Sequence, residues 1–171
     1  NCAAVITASL LLSERFPSIT ERSIRSALRS CSVPGRMQLL SSHPPVLFDP
    51  AHNLQAIESL YVTVSERFPG QNVTWFLSFM TDKEPDLLLS KLKAMGAEQI
   101  VYCILDDKRA YKPSDGPFDA IVRASDIASI AKIIASRETL SVFSGSFRLY
   151  ETAVHAAGFL LDSRSDPAML N

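Results

Sequence analysis

The stretch VLFDPAHNLQAIESL, residues 46–60, joins a short apolar run to a helical pattern through the sequence DPAHN. An unbroken apolar run of this length is typical of a buried strand, and the apolar residues that follow return at helical spacing. The chain has only three histidines, and one of them, His52, lies in this turn from strand to helix. The turn therefore has two interpretations, a helix cap or a ligand site.

Outward from this turn, strand and helix patterns alternate along the chain. Alternation at this spacing predicts an α/β, Rossmann-like fold, a mainly parallel sheet with an antiparallel edge strand and helices on both faces. The antiparallel pair is expected where the short loop SSHPP joins two strands. The predicted strands are MQLL, VLF, VTWFLSFM, QIVYCIL, FDAIV and TLSVFSGS.

Residues 1–33 differ from the rest, because they contain helical patterns only. The second of these helices is expected to begin after Thr20, a residue type that caps helix N-termini. The stretch CSVPGR, residues 31–36, holds a Pro-Gly pair and predicts a boundary between residues 1–33 and a second domain, 34–171. The chain starts within a helical pattern, which predicts a fragment, and the tail 162–171 is expected to fray.

The composition is that of a globular domain. Of 171 residues, 47% are hydrophobic and 20% are charged, and the net charge is −1. This charge gives no long-range attraction to nucleic acid or to an anionic membrane, and no apolar run reaches the ~18 residues of a membrane helix. Three widely spaced cysteines with no CxxC pair predict reduced thiols in a cytoplasmic protein.

The DPAHN turn is the first candidate site. Asp49 as helix N-cap with Pro50 in the first helical position would be an ordinary start of a helix. That interpretation leaves His52 and Asn53 unexplained. A carboxylate, an imidazole and an amide at a helix N-terminus also suit a nucleotide or a phosphate. Ligands of open α/β sheets bind beyond the carboxyl ends of the strands, where this turn is expected to lie.

Two more stretches follow predicted strands. Ser146, in the sequence SGS, could cap the last helix, or its helix N-terminus could bind a carboxylate or phosphate. Asp82 and Lys83 could be a solvated charge pair in a first helical turn, or they could line the same cleft. The chain has no GxGxxG, no P-loop GxxxxGK[ST] and no GxSxG elbow, so none of these motifs supplies a nucleotide or nucleophile site.

Four stretches together resemble a known family. VPGRMQLL, PVLFDPAHN, FLSFMTDKEPD and VFSGSFRLYE occur in the order and spacing of the C-terminal domain of folylpolyglutamate and dihydrofolate synthases, in the Mur ligase superfamily. DPAHN is the sharpest of these motifs. The opening residues resemble the last two helices of the family's central ATPase domain. The resemblance therefore implies that 1–33 are the end of a truncated ATPase domain and that 34–171 are the glutamate-ligase domain.

The resemblance implies an ATP-dependent ligase of folate biosynthesis and one-carbon metabolism. Such enzymes phosphorylate a folate or dihydropteroate carboxylate with ATP and Mg²⁺, and the amino group of L-glutamate then attacks the acyl phosphate. The P-loop, the metal ligands and most of the folate cleft would belong to an N-terminal ATPase domain that is missing from this chain. The chain alone is therefore expected to be inactive, without a metal site of its own.

The family's roles transfer to the matching positions. Arg36 would contact the nucleotide phosphates, while Asp49 would bind the ribose hydroxyls or pair with Arg36. His52 would be the catalytic residue near the terminal phosphate and the incoming glutamate. The remaining site residues implied are Asn53 for the nucleotide, and Ser146, Asp82 and Lys83 for glutamate.

Three positions depart from the family pattern. Pro50 replaces a glycine, Arg148 stands where a tyrosine would align, and SFMTDKEPD lacks its opening glycine. These departures keep two alternatives open. One is a stand-alone binding or regulatory module with this fold, and the other is the C-terminal domain of a cell-wall Mur ligase. A P-loop in the upstream reading frame would favour the ligase over the module.

Overall fold

A computed structural model describes residues 2–137 and 139–165 of the chain. The chain divides into two units, and the boundary falls after Pro34, within the CSVPGR stretch. The tail residues 166–171 lie outside the described residues, and α6, the last helix, extends to Ser165. No helix of the described residues has the length and apolar character needed to cross a membrane.

The first unit contains two helices, α1 (Cys2–Ser13) and α2 (Glu21–Ser30). Thr20 is the N-cap of α2, as predicted: its Oγ1 accepts the Ser23 N–H at 3.1 Å, and the Ser23 Oγ accepts the Thr20 N–H at 2.8 Å. No residue of α2 is buried, and Leu11 on α1 is 69% exposed. That these helices end an ATPase domain stays a prediction.

The second unit is built on one six-stranded sheet. Its strand order is β1-β2-β6-β3-β4-β5. β1 runs antiparallel to β2, and every other neighbouring pair is parallel. The predicted mainly parallel sheet with an antiparallel edge strand is confirmed. The strands are β1 (Gln38–Ser42), β2 (Pro45–Phe48), β3 (Val73–Leu77), β4 (Gln99–Ile104), β5 (Ala120–Arg123) and β6 (Leu140–Ser144).

Helices cover both faces of the sheet, because successive strand residues point to opposite sides. Trp75 belongs to the core under α3 and α4, whereas its neighbour Phe76 belongs to the core under α5 and α6. Trp75 stacks on Tyr61 at 5.9 Å, and Phe76 stacks on Phe143 at 4.5 Å between ring centroids. The helices are α3 (Leu54–Arg67), α4 (Pro85–Ala94), α5 (Ile127–Arg137) and α6 (Leu149–Ser165).

Candidate functional site

The parallel strands β2, β6 and β3 are neighbours, so the segments that follow them leave the sheet side by side. We call these three segments, residues 49–53, 145–148 and 78–84, the carboxyl rim. The Asp49 N–H donates to the Phe143 carbonyl at 3.1 Å and thus extends the pairing of β2 with β6 by one residue. The structure therefore brings Asp49, His52, Ser146 and the Asp82–Lys83 pair to one edge of the sheet.

Gly145 allows two of these segments to approach closely. Its φ is +101°, and a Cβ at this position would lie 2.2 Å from the Ser78 carbonyl oxygen and 2.8 Å from the Phe79 ring. Any other residue would both strain the backbone and overlap the end of β3. The glycine of the SGS stretch is thus explained by the close contact of two strand ends.

Asp49 does not cap the following helix, and that interpretation is wrong. Helix α3 begins at Leu54, and its N-cap is Asn53, whose Oδ1 accepts the Ala56 N–H at 2.9 Å. The reason is that Asp49 is still hydrogen-bonded to β6, so the helix cannot begin there. The cap uses the side-chain oxygen of Asn53, and the side-chain NH₂ group is still available as a donor.

The Asp49 carboxylate instead fixes the segment before β1. Its Oδ2 accepts the N–H of Met37 at 3.0 Å, and Met37 adopts a left-handed φ of 43°. The expected alternative, a pair between Asp49 and Arg36, is not among the ion pairs of residues 2–137 and 139–165. Arg36 is exposed. One hydrogen bond leaves most acceptor positions of the half-buried carboxylate available to a ligand.

The ring of His52 has a defined tautomer. Its Nδ1 lies 2.9 Å from the Pro50 carbonyl oxygen, which can only accept a hydrogen bond. Nδ1 therefore carries the proton, and in the neutral ring Nε2 is an acceptor. Because His52 is exposed, this nitrogen is accessible to a ligand. Pro50, which replaces the family's glycine, contributes a carbonyl to this arrangement although it has no N–H to donate.

Ser146 lies in the turn that leads into helix α6. It is 8% exposed, and its Oγ accepts the Arg148 N–H at 3.3 Å. Its carbonyl accepts the Leu149 N–H at 3.0 Å. These two bonds close the turn before α6. A helix N-terminus of this kind also carries a partial positive charge that attracts anions.

Arg148 and Asp107 form a contact that the sequence analysis missed. The Arg148 guanidinium lies 2.6 Å from the Asp107 carboxylate, in the loop after β4. The Arg109 N–H, at 2.7 Å, contributes most to lowering the pKa of Asp107 below its ordinary 3.8, the charge of Arg148 adds to it, and burial opposes both. An acidic pair directly after a strand was the only signal of this contact in the sequence.

Asp82 and Lys83 lie in a 3₁₀ turn, Thr81–Lys83, just before α4. The Lys83 Nζ is 3.1 Å from Asp82 Oδ2, and the Asp82 side chain is 69% exposed. This hydrogen bond is the main reason that the pKa of Asp82 is lowered from 3.8. The pair is exposed to solvent. It lies in the turn before α4, whereas the sequence predicted it in the first turn of the helix itself.

The rim is open. The cavity beside Asp49, between Met37 and helix α3, holds about 180 Å³. Sites that enclose small molecules typically measure roughly 300–1,000 Å³. Among the residues that the structure describes, no three His, Cys, Asp or Glu side chains are grouped so that they could hold a metal ion. The rim can therefore contact a nucleotide on one side but does not enclose it.

Comparison with known proteins gives relatives of one kind. No family model matches the chain. The dihydrofolate synthase/folylpolyglutamate synthase of Bacillus subtilis is 30% identical over 112 residues, which are 66% of this chain and 26% of that protein. The chain thus spans about a quarter of the length of this relative.

Solved structures share the fold. The bifunctional folylpolyglutamate synthase/dihydrofolate synthase of Yersinia pestis, complexed with AMPPNP and Mn ion, has a TM-score of 0.66 and 21% identity over 83% of this chain and 35% of its own. A structure of such an enzyme with Mn, AMPPNP and L-glutamate bound has a TM-score of 0.61 and 22% identity, over 83% of this chain and 35% of that one. Sequence similarity and fold together confirm the motif-based prediction that this chain is related to the folylpolyglutamate/dihydrofolate synthases.

Proposed function

We propose that the chain is the C-terminal part of an ATP-dependent ligase that joins L-glutamate to a folate or dihydropteroate carboxylate through an acyl phosphate. The observation that carries the proposal is the position of Asp49, His52 and Ser146 on one carboxyl rim, in a chain similar to a dihydrofolate synthase/folylpolyglutamate synthase. The nucleotide analogue and glutamate found in a structurally similar enzyme support this assignment.

Arg36, Asp49 and Asn53 form the nucleotide side of the proposed site. Arg36 is exposed, and its planar guanidinium can bind phosphate oxygens in a bidentate manner. The Asp49 carboxylate, which Met37 holds through one oxygen, accepts the ribose hydroxyls with its remaining positions. Asn53 donates to the ribose or base from its NH₂ group, because its oxygen caps α3.

His52 lies between the nucleotide side and the glutamate side in this proposal. The amine of glutamate must lose protons as it attacks the acyl phosphate, and Nε2 of a neutral imidazole can accept a hydrogen bond from it. The Pro50 carbonyl, by binding Nδ1–H, fixes the tautomer in which Nε2 of the neutral ring is the acceptor. His52 thus contributes by orienting the amine and by stabilising the positive charge that develops on its nitrogen during the attack.

Ser146, Asp82 and Lys83 form the glutamate side. A carboxylate of glutamate would bind at the N-terminus of α6, where the helix dipole favours an anion. Lys83 supplies a cation to the same substrate, and Asp82 holds the Lys83 ammonium at 3.1 Å. In this proposal, Ser146 and Lys83 each bind one of the two carboxylates of glutamate, which would distinguish glutamate from an amine without carboxylates.

In this proposal, the residues that bind the phosphates and the magnesium ion lie outside this chain. The 171 residues contain no P-loop, and the described side chains do not group into a metal site. We expect both in an N-terminal ATPase domain of the full-length, cytoplasmic protein, which would close the second wall of the cleft.

The test is ligation by the full-length protein. It would be assayed with ATP, Mg²⁺ and L-glutamate against dihydropteroate, tetrahydrofolate and a muramyl peptide in separate reactions. Glutamate incorporation into either pterin substrate is the expected result. Activity on the muramyl peptide alone would identify a cell-wall ligase instead, and binding without turnover of any acceptor would identify a binding module.

A further inference from the structure

We propose that Tyr102 is a positioning residue for the glutamate side of the carboxyl rim. Through Phe79, its hydroxyl holds both the turn Thr81–Lys83 and the corner Gly145–Ser146 in place. The consequence for glutamate binding rests on the proposed function, whereas the structural role does not. Neither the motifs nor the family resemblance pointed to this tyrosine, which lies inside a predicted strand.

The hydroxyl of Tyr102 joins two loops below the rim. Tyr102 lies on β4 and is 0% exposed. Its oxygen accepts the N–H of Phe79 at 3.0 Å and donates to the Tyr111 carbonyl at 3.2 Å. The Tyr111 N–H in turn donates to the Phe79 carbonyl at 2.9 Å. The segment after β3 and the loop after β4 are therefore bound to each other directly, through backbone hydrogen bonds, and also through one buried hydroxyl.

Phe79 connects this hydroxyl to both parts of the glutamate side. Its ring lies so close to Gly145 that a Cβ there would be 2.8 Å from it, and Gly145 precedes Ser146 directly. In the other direction, the chain continues from Phe79 into the turn that carries Lys83. The Thr81 N–H donates to the Arg109 carbonyl at 2.9 Å, in the loop that Tyr102 holds through Tyr111.

The hydroxyl is protonated at neutral pH. Burial raises the pKa of Tyr102 to about 12, so the bond donated to Tyr111 is present in an assay near pH 7. Substitution by phenylalanine keeps the ring and removes only this oxygen. The buried N–H of Phe79 would then lose its partner, and the two loops would keep fewer contacts to hold them.

The experiment compares Tyr102→Phe with Thr74→Val in the full-length protein. Thr74 is a matched control, because it is also buried and its hydroxyl also makes two hydrogen bonds, to Gln99 at 2.8 Å and Thr139 at 2.7 Å. It lies near the opposite, amino-terminal end of β3. Amide hydrogen exchange is measured at residues 79–83 and 145–148, and KM is measured for glutamate and ATP.

Tyr102→Phe is expected to accelerate exchange in both segments by about ten-fold relative to Thr74→Val. It should raise the KM for glutamate by about ten-fold and leave the KM for ATP within about two-fold. Equal exchange in the two variants would overturn the inference whatever the activity. Faster exchange together with an unchanged KM for glutamate, in a protein that ligates glutamate, would also overturn the inference. A wild-type protein that ligates no glutamate would refute the proposed function, and exchange alone would then decide the role of Tyr102.

Discussion

The two ends of the sheet use their polar residues differently. At the amino-terminal end, Thr74 hydrogen-bonds Gln99 and Thr139, and Arg137 adds a bond to Gln99 at 3.3 Å. These groups bind one another across three strands. At the carboxyl rim, His52 makes its hydrogen bond through one nitrogen only, to its own turn. The hydroxyl of Thr74 is thus satisfied within the fold, whereas His52 at the rim retains a ring nitrogen for a ligand.

The largest effect is expected when the 171-residue chain is assayed alone, without the N-terminal ATPase domain of the proposed ligase. The 171-residue chain alone should neither hydrolyse ATP nor ligate glutamate. γ-Phosphoryl transfer needs a phosphate cradle and a metal ion, whereas the sequence has no P-loop and the described residues contain no group of metal ligands. Nucleotide affinity on the order of millimolar is expected, since an open rim leaves most of the ligand in water. Phosphate release and calorimetric titration check both points. Turnover by the chain alone would show that the rim is a complete site.

The next effect concerns the two exposed histidines at opposite ends of β2. In the proposed full-length ligase, His52→Ala should lower kcat by roughly ten- to a thousand-fold, the range for losing one positioning or electrostatic contact. Its Tm should stay near that of the wild type. His43→Ala, in the turn between β1 and β2, is the matched control and should change neither quantity. An unchanged rate in His52→Ala would make His52 a structural residue.

Gly145→Ala tests whether the rim depends on the close approach of β6 and β3. The added Cβ would meet the Ser78 carbonyl at 2.2 Å with φ at +101°. We expect a loss of about 3 kcal/mol in the free energy of unfolding, from strain and overpacking together. Gly158→Ala, in α6 with nothing within 4 Å, should gain about 0.5–1 kcal/mol. Urea denaturation of both variants measures the difference, and equal stabilities would contradict the close contact.

The smallest effect is expected at the ion pair between Arg148 and Asp107. Because the folded state lowers the pKa of Asp107 below 3.8, its contribution to stability is complete above that pH and is lost as the pH falls through the folded-state pKa. Asp107→Asn should therefore lower Tm at neutral pH, and the difference from wild type should disappear in acid. Asp106→Asn, which breaks no ion pair of the described residues, is the control. A difference that persists in acid would assign the effect to packing.

Local pattern predicted the fold, whereas contacts distant in sequence decided the details of the rim. The strands and helices follow from apolar spacing, and Thr20 caps α2 as its residue type indicates. The capping interpretation of Asp49 was wrong because Asp and Asn are equally good caps, and only pairing with β6 shows that the strand has not yet ended. The contact of Arg148 with Asp107 spans 41 residues, and no local pattern encodes it.

The stacked pair of Tyr61 and Trp75 gives the molecule a built-in optical reporter. Trp75 is the only tryptophan of the chain and is 2% exposed, and Tyr61 is the first tyrosine, so the first unit contains neither residue type. The emission of Trp75 on heating will therefore follow the sheet unit alone, while far-ultraviolet circular dichroism will also register α1 and α2. If the two signals change at the same temperature, the units unfold as one cooperative system. If dichroism is lost first, the helices of the first unit melt independently.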